Sequence, residues 1–361
     1  MKDQIIKDVY NFVKKKVEKG NLNKYVKIHS MEKMTLLLLY YQTQKIKYGR
    51  SFIKMLGMHL DNMKKSISQS EFSKKLTKKI PLSLWKSLYE FVLEKTASQS
   101  QNKSNILSKL RIIDSSALES SLSMDWAKHR KTKNGLKLHL LIDSNLAPIG
   151  FRLKNGCSSD KKSLKWAVKP DFIYVFDRGY NDFKLFSWIS EKKAFFVTRA
   201  YKNLCYEVIS NKKIGSKQKK EGIKSDQIIK VLFNRKSKET INFRMIKYSF
   251  TDSNDKEQNF SFITDILDMK SDEIAKIYRE RWSIEVVFRW IKMYLNISHW
   301  YSRSKNGVFI QFYSALITYM LIFYLSHKYK KYSHVMRDYS HYIAALLFTW
   351  IKIYKLNCCY Q

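Results

Sequence analysis

The chain has 361 residues and 45% of them are hydrophobic, so a sizeable core is within reach and wholesale disorder is excluded. Lysine and arginine number 68 against 31 acids, and this net charge of +37 calls for a polyanionic partner, DNA or RNA, unless the Lys-, Asn-, Ile- and Tyr-rich usage only reflects an AT-rich genome. The four cysteines, Cys157, Cys205, Cys358 and Cys359, make no CxxC pair, which argues against a zinc ribbon or a disulfide framework and fits a reducing compartment.

The N-terminal run MKDQIIKDVYNFVKKKVEKG is charged throughout and has no signal-peptide core, so a cytoplasmic protein is expected. Residues 1–100 read as an all-helical domain. Within it, SISQSEFSKKLTKKIPLSLWKSLYEF has helix–turn–helix character: Ser70 as a cap, Phe72 and Leu76 inward, Lys74, Lys75 and Lys78 outward, then Pro81 as a breaker. That helix could read DNA, or be an ordinary basic surface helix. Ser98–Asn105 is small and polar, which puts a linker at about 101–109.

After the linker the pattern turns to strands. Leu110–Ile113 leads into Asp114, and GLKLHLLID (Gly135–Asp143) with PIGFRL (Pro148–Leu153) suggests a hairpin around Ser144 and Asn145. Lys161–Val168 suits a short helix, and FIYVF (Phe172–Phe176) is an apolar run expected of a strand buried on both faces, ending in Asp177. Tyr180–Ser190 reads as a helix and Ala194–Thr198 as a further strand. The reading is an α/β fold, a mixed sheet flanked by helices, with its first half at 110–204 and a basic, β-rich insertion at 205–266. The second half follows at 267–330, where Asp272–Asn296 reads as one long helix. Val308–Leu325 approaches the length of a membrane span, but Gln311, Ser314 and Thr318 make a buried core helix the better reading, with no membrane partner. Residues 331–361 form a C-terminal helical region, in which Ile343–Tyr354 is either core or a dimer interface.

Three carboxylates stand where chemistry could use them: Asp114 and Asp177 at strand ends, and Glu285 on the long helix. An Asp at a strand end is more often a turn former, but in a mixed sheet these two strands can be central neighbours. Converging carboxylates suit Mg²⁺ or Mn²⁺, and two such ions are the arrangement that cleaves phosphodiesters. On one continuous helix Tyr278, Arg281, Glu285 and Lys292 would share a narrow face, the cations holding phosphates beside the metals, with Ile284, Val287, Phe288, Ile291 and Leu295 opposite. His139 in LKLHLL reads as a sheet residue and not as a ligand.

The spacing Y-x2-R-x3-E-x6-K in IYRERWSIEVVFRWIK resembles the YREK signature of DDE transposases of insertion-sequence family four. KHRKTKNGLKLHLLID, FDRGY and SRSKNGVFIQFYSALITYMLIFYL resemble further blocks of that family, together covering about residues 110–325. The resemblance implies an RNase H-like core, with Asp114, Asp177 and Glu285 as the catalytic, metal-binding triad and Tyr278, Arg281 and Lys292 on DNA phosphates. It implies metal-dependent cleavage and strand transfer at the terminal inverted repeats of an insertion sequence, in the bacterial nucleoid. Its partners would be duplex DNA, both transposon ends and target, and a second copy of the chain. The insertion would pack on the DNA end, with Phe233, Phe243, Tyr248 or Phe250 stacking on a base. Where that family often has His-Asp, this chain has Ser159-Asp160, so no role carries over to Asp160. Two other readings stay open: a catalytically inactive DNA-binding remnant or repressor, and a metal nuclease acting on RNA.

Overall fold

The computed structural model describes residues 4–24, 30–44, 68–97, 105–119, 124–130, 133–156, 158–234, 239–251, 255–295, 297, 300, 302–328, 341 and 343–347. The chain divides into two compact units, one of Met1–Gln101, Ala117–Leu136 and Val287–Gln361, the other of Asn102–Ser116 and Lys137–Val286.

The first unit begins with α1 (Gln4–Lys19), which buries Ile5, Ile6, Val9, Val13 and Val17, one stripe at helical spacing. Helix α2 (Met31–Gln42) starts at Ser30, whose hydroxyl accepts the Lys33 N–H at 3.3 Å. Its leucine run leaves it no polar face, and it is buried nearly all round. Helix α3 (Gln69–Lys74) contains Ser70 in its first turn, and Phe72 N–H bonds to the Ser68 carbonyl at 2.9 Å, so Ser70 is not the cap expected above. A π-helical turn, Lys75–Lys79, comes next and is closed by Ile80 N–H on the Lys75 carbonyl at 2.9 Å. The wider turn shifts the side-chain phase, and Lys75, expected to face outward, is buried while Lys74 and Lys78 are exposed. The Leu76 side chain and the linker residues 98–104 lie outside the described residues. Pro81 precedes α4 (Leu82–Ala97), which buries Leu84, Trp85, Leu88 and Val92.

Strands β1 (Leu110–Glu119), β3 (Lys133–Asp143) and β4 (Pro148–Asn155) open the sheet of the second unit, while a short β2 (Lys128–Arg130), which pairs with Lys133 and Asn134 at the start of β3, falls in the Ala117–Leu136 segment of the first. Helix α5 (Asp160–Leu164), β5 (Ile173–Phe176), α6 (Phe183–Glu191) and β6 (Phe195–Arg199) succeed them. Then come β7 (Glu207–Asn211), α7 (Ser216–Lys220), β8 (Ile223–Asn234), β9 (Glu239–Thr251) and β10 (Glu257–Thr264). The strand order is β3-β1-β5-β6-β10-β9-β8-β7, with β4 on β3. Strands β1, β5 and β6 are parallel, whereas β6 to β7 along that order pair antiparallel, so the sheet is mixed. The β-rich stretch after residue 205 continues the same sheet through the β10–β6 pairing. As the apolar run predicts, all of β5 is buried. Phe176, Phe186, Phe196 and Phe243 interlock beside it, with Phe186 and Phe196 stacked 4.4 Å apart.

A buried ion pair ties this sheet to the segment after β10. Arg244 Nε and Nη2 donate to the two Asp226 oxygens at 2.8 and 2.7 Å, while Nη1 reaches the carbonyls of Ile266, Leu267 and Met269. That clamp fixes the approach to α8 (Ser271–Arg279), which precedes α9 (Trp282–Tyr294). The single long helix expected from the sequence is therefore two helices. Glu280, Arg281, Ser283 and Ile284 donate to the carbonyls three residues back, from Ile277 to Arg281, which tightens the chain and breaks it between Arg279 and Trp282.

Helix α10 (Lys305–Lys328) returns to the first unit and packs on α4 and α2, where Gln42 Nε2 donates to Ser314 Oγ at 2.8 Å. It is long and apolar enough to cross a bilayer, yet 78% of its most apolar window is buried within the protein, the condition of a core helix. Of the apolar C-terminal stretch, Ile343 and Leu347 are buried, and residues 348–354 lie outside the described residues.

Candidate active site

Parallel pairing makes the site readable from register alone. Leu110 pairs with Ile173 and Ile112 with Val175, a constant offset of 63 residues. Continued two residues past that pairing, the same offset sets Asp114 level with Asp177 (114 + 63 = 177). Residues level on adjacent strands point to the same side of a sheet, with the strands about 4.8 Å apart. Between β5 and β6, Phe176 pairs with Thr198, so Arg199 continues the same row one position past Thr198. Asp114, in the middle of β1 and not at the strand end expected above, Asp177 just past β5 and Arg199 at the end of β6 thus fall in one row across three neighbouring strands.

Asp177 opens the turn Arg178–Tyr180, a 3₁₀ turn closed by Tyr180 N–H on the Asp177 carbonyl at 3.0 Å. Asn181 Nδ2 then donates to the Arg199 carbonyl at 2.7 Å, and Thr198 Oγ1 donates to Asn181 Oδ1 at 3.0 Å, pinning the turn to β6. The FDRGY glycine is not what permits the turn: Gly179 has no left-handed φ, and a Cβ there would meet nothing within 4 Å.

Glu285 stands in the first turn of α9, where the helix dipole favours a carboxylate. Arg281, in the break before it, joins the two halves of the site: Nη2 donates to Glu285 Oε1 at 2.6 Å and Nη1 lies 3.7 Å from Asp114 Oδ2. Asp114 is half-buried, and its partial removal from water pushes its carboxyl up to about 6. The Ser115 N–H, at 2.7 Å, and the Arg281 charge pull it back down, and the charges of Asp177 and Glu285 push it up again. The three carboxylates are therefore close enough to feel one another. Tyr278 packs its ring on Phe262, centroids 4.7 Å apart, with the Arg281 guanidinium 6.0 Å from the ring centre. Burial pushes the Tyr278 hydroxyl up to about 12, so it stays protonated and can donate to an anion.

Lys292 is exposed in the last turn of α9. With the helix broken before Trp282, Tyr278 stands in the last turn of α8, Arg281 in the break and Glu285 on α9, so the three do not share one helix. Among the described residues no three His, Cys, Asp or Glu side chains stand close enough to hold a metal ion, and Arg281 is the group that Asp114 and Glu285 meet across. The donor chemistry nonetheless fits a hard divalent cation: three carboxylates, two of them level on adjacent strands.

Sequence reasoning missed two parts of this neighbourhood. Arg199 stacks over Phe260, 4.2 Å from its centre, and acts electrostatically on Tyr278. Its signal was available, because VTR ends a strand parallel to FDR, but only once the pairing is known. The second part is polar: Lys137 Nζ bonds Asp160 Oδ2 at 2.6 Å, and fully buried His139 lies 3.6 Å from Asp160 Oδ1. Burial drives the His139 ring down to about 4, so it is neutral in the sheet. Asp160 also acts electrostatically on Tyr180, which in turn feels Asp114 and Asp177. Of the insertion aromatics, Phe243 and Tyr248 are buried, Phe250 is exposed, and the Phe233 side chain lies outside the described residues.

Comparison with known proteins places transposases beside this chain. The family model described as "Transposase DDE domain" matches residues 107–321. A putative transposase, y4zB, of Sinorhizobium fredii is 28% identical over 219 residues, covering 59% of this chain and 60% of that protein, so less than two thirds of the relative's length is spanned. A probable transposase for insertion sequence element IS5377 of Geobacillus stearothermophilus is 24% identical over 303 residues, 79% of this chain and 78% of that protein. A putative transposase for insertion sequence element IS4SA of Synechocystis is 25% identical over 151 residues, 42% of this chain and 40% of the other.

Proposed function

The chain belongs to the transposase DDE domain family, and from that membership we propose that it excises and inserts its own insertion sequence by metal-dependent cleavage and strand transfer at the terminal inverted repeats. The observation that carries the proposal is the register that levels Asp114 with Asp177, with Arg281 joining Asp114 to Glu285. On this reading the sheet is an RNase H-like core, the triad is Asp114, Asp177 and Glu285, and the subfamily is the YREK group of insertion-sequence family four.

The three carboxylates would hold Mg²⁺ or Mn²⁺, as one or two ions, which when bound would activate the attacking oxygen and stabilise the leaving one. The protein's own residues do the rest. Tyr278 donates its hydroxyl to a phosphate oxygen, and Arg281 and Arg199 neutralise the backbone beside the scissile bond. Lys292 holds a phosphate farther along α9. Water cleaves the phosphodiester at the transposon end and frees a 3′-hydroxyl. That hydroxyl attacks the opposite strand, giving a hairpin that is reopened before joining to target DNA.

The helices of residues 1–100 read the terminal repeat, and the β-rich 205–266 segment packs on the DNA end, with Phe250, exposed beside the stacked rings of Tyr248 and Phe260, an aromatic that would stack on a base. Cutting two ends in one synapse calls for two copies of the chain on DNA, which places it on the nucleoid. The test is cleavage of duplex DNA carrying the element's terminus. Asp177→Ala binds the duplex and does not cut it; an Asp177→Ala protein that cut normally would end the proposal.

A further inference from the structure

Arg281 takes the position a cation would need between two of the three carboxylates. Its two terminal nitrogens lie 2.6 Å from Glu285 Oε1 and 3.7 Å from Asp114 Oδ2, on side chains only partly open to water. A guanidinium and a divalent ion cannot share those oxygens, and at such separations their charges repel strongly. Arg281 sits in the two-residue break between α8 and α9, and its side chain remains 15% open to water. Among its protein partners only carboxylates carry charge, and a phosphate competes well for a forked donor.

We propose that Arg281 is a gate on the metal site: it closes the seat between Asp114 and Glu285, and a DNA phosphate draws it out, so that divalent metal is held tightly only once DNA is bound. This inference rests on the site reading above and adds an order of events to it. The advantage is chemical. A nuclease centre that assembles without its DNA can cut whatever duplex it meets, whereas one closed by its own phosphate-binding arginine charges only on the substrate. The same side chain would then do two jobs in sequence, a stand-in for the metal first and a phosphate clamp afterwards. Tyr278, the other part of the proposed phosphate contact, has its ring centre 6.0 Å from the guanidinium.

The experiment is Mn²⁺ binding to the full-length protein, read as free Mn²⁺ by electron paramagnetic resonance, without cleavage as a readout. Wild type and Arg281→Gln are compared alone and with a duplex taken from the DNA flanking the gene. Expected is at least about tenfold tighter Mn²⁺ binding by Arg281→Gln alone than by wild type alone. The duplex then tightens wild type at least tenfold more than it tightens Arg281→Gln. The wild-type comparison needs no substitution, so a variant that fails to fold does not remove the test. Equal or weaker Mn²⁺ binding by folded Arg281→Gln overturns the gate and leaves the transposase reading standing. So does wild-type binding that the duplex leaves unchanged. Absence of Mn²⁺ binding in either protein, with or without duplex, overturns the gate and the metal-site reading together.

Discussion

Replacing Asp226 by Ala isolates the clamp that carries α8 to the site. Asp226 and Arg244 are 3% and 2% exposed, and the carboxylate accepts two bonds of 2.7–2.8 Å from the guanidinium. Removing it leaves a buried cation whose remaining partners are the carbonyls of Ile266, Leu267 and Met269. Breaking one side of a buried pair costs about 3–5 kcal/mol. The three carbonyls still solvate one nitrogen, which places the expected loss near ~3 kcal/mol, the lower end of that range. Equilibrium urea unfolding reads it as a lowered midpoint at unchanged slope, a shift of about 1 M for a slope near ~3 kcal/mol per M. The double change Asp226→Leu with Arg244→Met removes both charges and should cost less than Asp226→Ala alone. A single-variant loss under about 1 kcal/mol, or a double variant worse than the sum of the singles, would refute the reasoning.

The same structure sets three further outcomes. DNA binding should weaken steeply with salt, with a log–log slope near −7 if about 8 phosphates are neutralised; a flat response would make the charge a solubility feature. The Asp114 carboxyl, raised to about 6 by burial and then by its acidic neighbours, must be ionised to hold a cation. Metal-dependent cutting should therefore be full above that value and fall about tenfold for each pH unit below it, and a rate flat from pH 7 to pH 4.5 would contradict this assignment. Lys292→Ala should weaken binding of the terminal duplex while leaving Mn²⁺ affinity within about threefold, since Lys292 is exposed two turns beyond Glu285; calorimetry showing lost Mn²⁺ binding would reassign it.

Much of the site was legible because parallel strands of similar pattern carry their register in the sequence. Ile-Ile-Asp and Val-Phe-Asp both end an apolar run, and the 63-residue offset between the two aspartates is the offset of the pairing itself. Arg199 escaped because a single Arg after AFFVT resembles any strand-end cation until β6 is known to lie beside β5. The break at Glu280–Arg281 escaped for a different reason. Ile277 and Ile284 stay in helical phase across it, seven residues apart, and no Gly or Pro marks the three-residue hydrogen bonds. Lys75 failed similarly, since a π turn changes phase without a Gly or Pro to announce it. Asp226 and Arg244 lie on separate strands, and it is the β8–β9 pairing that brings them inside together. Pairing and phase were the missing information, while residue chemistry was not.

The most direct measurement is cleavage of the element's own terminal duplex by purified protein in Mg²⁺ and in EDTA, wild type beside Glu285→Ala. The account predicts cutting by wild type in Mg²⁺ alone, with a free 3′-hydroxyl at the transposon end, and none by Glu285→Ala although it still binds the duplex. Cutting that survives EDTA or the loss of Glu285 would contradict it.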